Sequence, residues 1–186
     1  MGHSQIDKEK NHQRIVEVAA RKIREGGIDG PGVAEIMKEA GLTHGGFYKH
    51  FDSRDDLVAE AVDAAIEQGQ SDLMRAVEGA DDPLGAFLEE YVSEKHRDDP
   101  GTGCTVVALG ADTARADPRV RAAYGAQVEK YIGRMEELLG GGEDARRKAI
   151  AAVTSMVGAV LISRAVDDAE LSEEILAEVR AGVPNL

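Results

Sequence analysis

Between Gly41 and Phe51 the chain reads GLTHGGFYKHF. Thr43, His44, Tyr48, Lys49 and His50 bring hydroxyl, imidazole, phenol and ammonium groups into eight residues. Lys49 and the Tyr48 hydroxyl can reach phosphate oxygens, and such contacts set the register of a protein on a duplex. His44 stands where contact with a base edge is available. Phe47 and Phe51 are four apart, the spacing at which helical side chains bury together. Gly45 and Gly46 interrupt the same run, where each glycine costs about 1 kcal/mol against alanine in a helix interior. A backbone stripped of side chains can come close to another surface, and DNA is a surface these groups suit. A plainer reading also fits: Gly45-Gly46 as an early turn, with Tyr48 and His50 half-buried.

The flanking sequence supplies elements to position this set. Lys8 to Glu25 has an apolar face of Ile15, Val18, Ala19 and Ile23 and stops at Gly26-Gly27. A second helix is expected over Val33 to Ala40, with Val33, Ile36, Met37 and Ala40 inward and Gly41 ending it at the C′ position. Thr43 reads as the N-cap of a third helix running to about Phe51. Ser53, with Asp56 three residues on, reads as the cap of a long helix from about Arg54 to Glu78. The second and third helices and their glycine turn make a helix-turn-helix, whose second helix enters the major groove.

The stretch VAEIMKEAGLTHGGFYKHFDSRDDL, Val33 to Leu57, resembles the signature of TetR/AcrR-type transcriptional regulators. The resemblance implies that Thr43, His44, Gly45, Tyr48, Lys49 and His50 contact DNA and that Phe47 and Phe51 support them. It departs from the family pattern at Gly32, where a threonine often caps the second helix and touches phosphate. Only backbone contact is available from that position here.

The 186 residues suit one large domain or two small ones. The net charge of −13 is unevenly spread. Residues 1–51 hold 8 basic and 7 acidic residues, and residues 52–186 hold 14 and 28. Four of the five histidines also lie in the first segment. The domain boundary is therefore expected at the start of the long helix, giving a DNA-binding domain over 1–53 and a body over 54–186. A lone cysteine, Cys104, rules out an internal disulfide and suits a reducing compartment. The N-terminus has no apolar signal core, and the longest charge-free apolar run, Ala149 to Ser163, is short of the ~20 residues that span a bilayer. A soluble, cytoplasmic protein without a membrane partner is expected.

The fold class expected is all-α, with about nine helices. After Glu78 they run from Pro83 to His96, from Cys104 to before Asp117, from Pro118 to Leu139, from Glu143 to Val166 and from Ser172 to Ala181. The helix over Glu143–Val166 is apolar nearly all round and so must be covered on every side. Ile150, Val153, Val157, Val160 and Leu161, with Ile175 and Val179 of the last helix, are the candidate interface of a homodimer. A central core helix of a monomer is the competing reading. The resemblance implies the dimer, as a four-helix bundle from two protomers, and a ligand pocket in the body. Leu88, Tyr91, Val92, Cys104, Val107, Tyr124 and Val128, with Leu109 and Tyr131 nearby, are the candidate lining for an unknown small-molecule effector, and core packing explains each of them equally well. Cys104 at a helix start also admits a thiol sensor of oxidants or electrophiles, against the reading of a small buried residue.

No Gly-x-x-x-x-Gly-Lys, His-Glu-x-x-His or paired-cysteine motif occurs, so no catalytic residue, metal or cofactor is expected. His96 and Cys104, eight apart, do not have a ligand spacing. The reading that results is a ligand-responsive regulator, by family default a repressor, that binds a palindromic operator as a homodimer. The alternative is a helical protein-interaction adaptor that does not bind DNA, favoured by the acidic body.

Overall fold

The computed structural model describes residues 2–186, with side chains described for residues 5–69 and 77–186. The described residues form nine α-helices and two short 3-10 helices, with no strand. The α-helices are α1 Gly2–Gly26, α2 Val33–Glu39, α3 Arg54–Val77, α4 Pro83–Tyr91, α5 Glu94–Asp98, α6 Thr105–Thr113, α7 Pro118–Leu138, α8 Ala145–Ala165 and α9 Ala169–Gly182. The 3-10 helices are His44–Lys49, between α2 and α3, and Val183–Asn185 at the C-terminus.

Local signals account for most boundaries. Gly41 adopts φ +73 after α2. Its N–H donates to the Lys38 carbonyl at 3.0 Å, and the Leu42 N–H donates to the Met37 carbonyl at 2.8 Å. This pair of bonds is the Schellman ending, which needs a residue at ease in the left-handed region. Ser53 caps α3 in both directions: its Oγ accepts from the Asp56 N–H at 3.1 Å and donates to the Asp56 carboxylate at 2.8 Å. Asp82 and Asp117 cap α4 and α7, each followed by a proline whose missing N–H is no loss in the first turn.

Two expectations are corrected. The helix expected from Pro83 to His96 is broken at Val92-Ser93, because the Ser93 Oγ accepts from the His96 N–H at 3.1 Å and starts α5. The element expected as an α-helix from Thr43 is a 3-10 helix, and Thr43 occupies the cap position without a side-chain cap bond.

The apolar side chains gather into two clusters. The first joins α1, α2, Phe47 and Phe51 to the first half of α3, from Leu57 to Ala65, and takes in Leu109 of α6 and Val120 of α7. Leu109 therefore packs under the N-terminal helices and not with the expected pocket residues. The second cluster is built from α4, α6, α7, α8 and α9. The helix α3 runs from one to the other, so its tilt links them. By length and composition α8 could cross a bilayer. In the fold it packs against α7 and α9 and contributes Ala149, Val153, Met156 and Val160 to the second core.

Candidate nucleic-acid interface

Phe47 and Phe51 hold the 3-10 segment down. Both are buried, with rings stacked at 5.5 Å and 27°. The Phe47 carbonyl accepts from both the His50 and the Phe51 N–H groups, which tightens the end of the segment. With three residues per turn, Tyr48 is directed away from Phe47, and it is 74% exposed. Thr43, His44, Gly45 and Lys49 are exposed beside it. The fold thus leaves five of the six expected contact residues exposed.

His50 is the exception. It is half-buried, its Nδ1 has no partner, and its ring lies 6.0 Å from that of His12 in α1. Burial holds its pKa below the ordinary histidine value, and the nearby His12, Lys8 and Lys49 lower it further. His50 lies at the C-cap, just past the 3-10 segment, where its ring lies beside those of His12 and Phe51.

The two glycines have no internal necessity. A methyl group at Gly45 would meet nothing within 4 Å, and one at Gly46 would lie 3.6 Å from Met37 and Thr43, an ordinary contact. Neither has a positive φ. What the missing side chain at exposed Gly45 permits is close approach from outside the protein.

Supports that the motif alone does not reveal come from α1. His12 stacks on Phe51 at 4.6 Å and meets the Glu60 carboxylate of α3 at 2.7 Å. Arg14 donates to the Ala40 carbonyl at 3.3 Å, holding the end of α2. Lys8 and Lys49 lie near enough to His50 to lower its pKa. Arg21 and Lys22 are drawn instead into ion pairs with Glu25, Glu35 and Glu39. Deeper still, buried Arg24 donates to the carbonyls of Gly101 at 2.7 Å and Ala65 at 3.1 Å and to the Gln68 side chain at 3.2 Å. One guanidinium thereby fastens α1 to α3 and to the loop before α6.

The sequence between residues 15 and 61 matches the family model described as bacterial regulatory proteins, tetR family. The chain is 27% identical over 161 residues to the HTH-type transcriptional regulator LmrA of Bacillus subtilis, covering 82% of this chain and 86% of that one. Residues 15–61 thus resemble the DNA-binding segment of the tetR family. Like the regulators it matches, the chain is a DNA-binding transcriptional regulator of helix-turn-helix type. The whole TetR fold is shared with a transcriptional regulator from Chloroflexus aurantiacus, at a TM-score of 0.81 and 23% identity over 95% of this chain and 96% of that one. AibR, solved in complex with isovaleryl coenzyme A and operator DNA, shares the fold at a TM-score of 0.67 and 18% identity over 94% and 98% of the two chains.

In the body, Leu88, Tyr91, Val92, Cys104 and Val107 are buried in the second cluster, with Tyr124 and Val128 packed against it. All seven expected pocket residues thus come together. Cys104 is buried at the N-cap of α6, and its thiol donates to the Tyr131 hydroxyl at 3.3 Å. His96, eight residues earlier, accepts from the Cys104 N–H through Nε2 at 2.9 Å, a tie and not a metal site.

The expected interface set divides. Val153 and Val160 are buried in the protomer's own core, because α8 turns them toward α7 and α9, and they are corrected out of the set. Ile150 and Leu161 are 42% and 50% exposed, with Thr154, Val157 and Gly158 between them on the same stripe. The Thr154 hydroxyl is satisfied by the Ile150 and Ala151 carbonyls, and a methyl at Gly158 would meet nothing within 4 Å. Ile175 and Val179 are half-buried on α9, and Leu171 adds an exposed apolar group.

Proposed function

We propose that this regulator is a TetR-family repressor that binds a palindromic operator as a homodimer and is released by a small-molecule effector bound in its body. The observation that carries the reading is the outward surface of Thr43, His44, Gly45, Tyr48 and Lys49, standing on a buried Phe47–Phe51 pair. His44 reads a base edge, while Tyr48, Lys49 and Lys8 hold phosphates and fix the register.

One such surface reads only a few base pairs, so two are needed, spaced one helical turn (about 34–36 Å) or a multiple apart. The α8 stripe through Ile150, Val157 and Leu161, with α9 beside it, is the surface through which two copies join. An apolar stripe of this length favours burial, and Gly158 lets the two helices approach closely. The effector sits among Leu88, Tyr91, Val92, Cys104, Val107, Tyr124 and Val128. Its binding changes the tilt of α3, and with it the separation of the two reading helices. A coupling of about 1–3 kcal/mol corresponds to roughly a 5–150-fold change in DNA affinity. AibR, solved with both isovaleryl coenzyme A and operator DNA, is the precedent in this fold for a small molecule and a duplex on one protein. The regulator acts in the cytoplasm, where its operator lies.

The test is selection of bound fragments from random duplex DNA, followed by competition at rising salt. A regulator enriches a two-fold symmetric sequence and loses affinity steeply with salt. Retention of no fragment at low salt would leave the adaptor reading in its place.

A further inference from the structure

Beside the 3-10 segment, two histidines from different elements come together. His12, in the middle of α1, stacks on Phe51 at 4.6 Å and 24°, and its Nε2 donates to the Glu60 carboxylate of α3 at 2.7 Å. His50, at the C-cap of the segment, has its ring 6.0 Å from that of His12 and 6.3 Å from that of Phe51. The pair therefore sits where α1, α3 and the segment that carries Tyr48 and Lys49 meet. The Nδ1 of His50 is buried and has no hydrogen-bond partner, so nothing at that nitrogen fixes whether the ring holds one proton or two.

The groups that act on His50 are of one sign. Besides burial, His12 and Lys8 of α1 and the adjacent Lys49 all work against a further proton on its ring, and its pKa falls below the ordinary histidine value of about 6.5. From α3, the Glu60 carboxylate is bonded to His12. A duplex reverses this balance. Tyr48 and Lys49 are exposed and directly precede His50, so a phosphate bound by them brings negative charge close to its ring. An opposite charge within about 4–6 Å favours the protonated imidazole.

We propose that operator DNA draws a proton from solvent onto His50 in each reading head, so that the regulator binds DNA more tightly as the pH falls. The proposal rests on the reading of the 3-10 segment as the DNA-contacting surface and adds a regulating input, pH, to that surface. The sign follows from linkage. The bound state holds the proton up to a higher pH than the free state, so affinity rises as the pH falls through the range where bound His50 titrates, and it levels off once free His50 is protonated as well. One proton per head gives log affinity a limiting slope of about −1 against pH, and two heads on one operator double it.

The test is the affinity of the full chain for its selected operator duplex between pH 8 and pH 5.5 at constant salt, with Tm recorded in each buffer so that only folded samples are compared. The unaltered protein is expected to bind roughly tenfold or more tightly at pH 5.5 than at pH 8. In His50→Gln, and in His50→Asn as a second variant, the gain is expected to shrink to less than about threefold, the part left to the falling net negative charge of an acidic chain. His44→Gln separates the other histidine of the segment and is expected to keep the full gain. Independently of any variant's affinity, the histidine ring Cε1–H signal that His50→Gln removes from the NMR spectrum should titrate about one pH unit or more higher when the duplex is bound. An affinity that ignores pH, a gain equally large in both His50 variants, or a gain abolished by His44→Gln alone would overturn the proposal. Binding without a gain removes only the proton linkage; an unaltered protein that binds no operator at any pH removes the DNA-contacting reading with it.

Discussion

Arg24 and Gln127 are both buried polar side chains, and the molecule treats them in opposite ways. Arg24, between the N-terminal helices and the body, is bonded to two carbonyls and a side-chain amide. Gln127, inside the body, makes no hydrogen bond of good geometry and has the Tyr131 hydroxyl beside it. Full satisfaction lets a buried polar group rigidify its surroundings, and partial satisfaction leaves them less constrained. The N-terminal helices are therefore fastened to the body at Arg24, and polar atoms without a well-formed hydrogen bond lie on both sides of it, at His50 and at Gln127. The expected contact residues are exposed on the 3-10 segment, and the expected pocket residues lie in the second cluster.

The largest expected effect comes from removing the Arg24 guanidinium. Arg24→Met leaves the Gly101 and Ala65 carbonyls buried without a donor and should destabilise the protein by on the order of 3 kcal/mol in urea unfolding. If stability were unchanged, the contrast between the two regions would break down at its firm end.

A smaller effect of opposite sign is expected at Gly45. Because a methyl there meets nothing within 4 Å, Gly45→Ala should stabilise the free protein by roughly 0.5–1 kcal/mol while weakening operator binding. Stability and DNA affinity moving in opposite directions would sharpen the assignment of Gly45 to an external surface. If affinity were untouched, Gly45 would not lie against DNA.

The smallest effect is set by pH. His96 has a pKa lowered chiefly by burial, so the folded state resists the proton that the unfolded chain accepts below about pH 6.5. Its contribution is fully present above that pH and declines as the pH falls toward the folded pKa. Comparing Tm at pH 7.5 and 5.5 should show part of the loss disappearing in His96→Gln. An identical loss in both proteins would show that His96 is not held neutral by the fold.

Much of the head was legible because its signals are local. The Gly41 ending, the Ser53 cap and the Phe47–Phe51 spacing each lie within a few residues of what they organise. Within six residues, however, apolar spacing does not separate a three-residue period from a 3.6-residue one, so the 3-10 geometry and the inward turn of His50 were hidden. Arg24 was hidden for a different reason: its partners lie at Ala65, Gln68 and Gly101, far along the chain. In α8 the trouble was uniformity. Apolar residues all round a helix carry no phase, so nothing told Val153 and Val160, which face inward, from Ile150 and Leu161, which face out. In the body the tyrosines and Cys104 were visible as a group, but Gln127 was not, since a lone glutamine on a charged helix has no distinguishing pattern.

Paired reading heads are the central claim, and the stoichiometry of protein on a selected operator duplex tests them most directly. Sedimentation equilibrium should give two chains per duplex. Leu161→Glu, placing a carboxylate in the exposed stripe of α8, should leave a folded monomer whose operator affinity falls by roughly 100-fold as the linkage between the two heads is lost. One chain per duplex, with Leu161→Glu binding as tightly as the unaltered protein, would contradict the account.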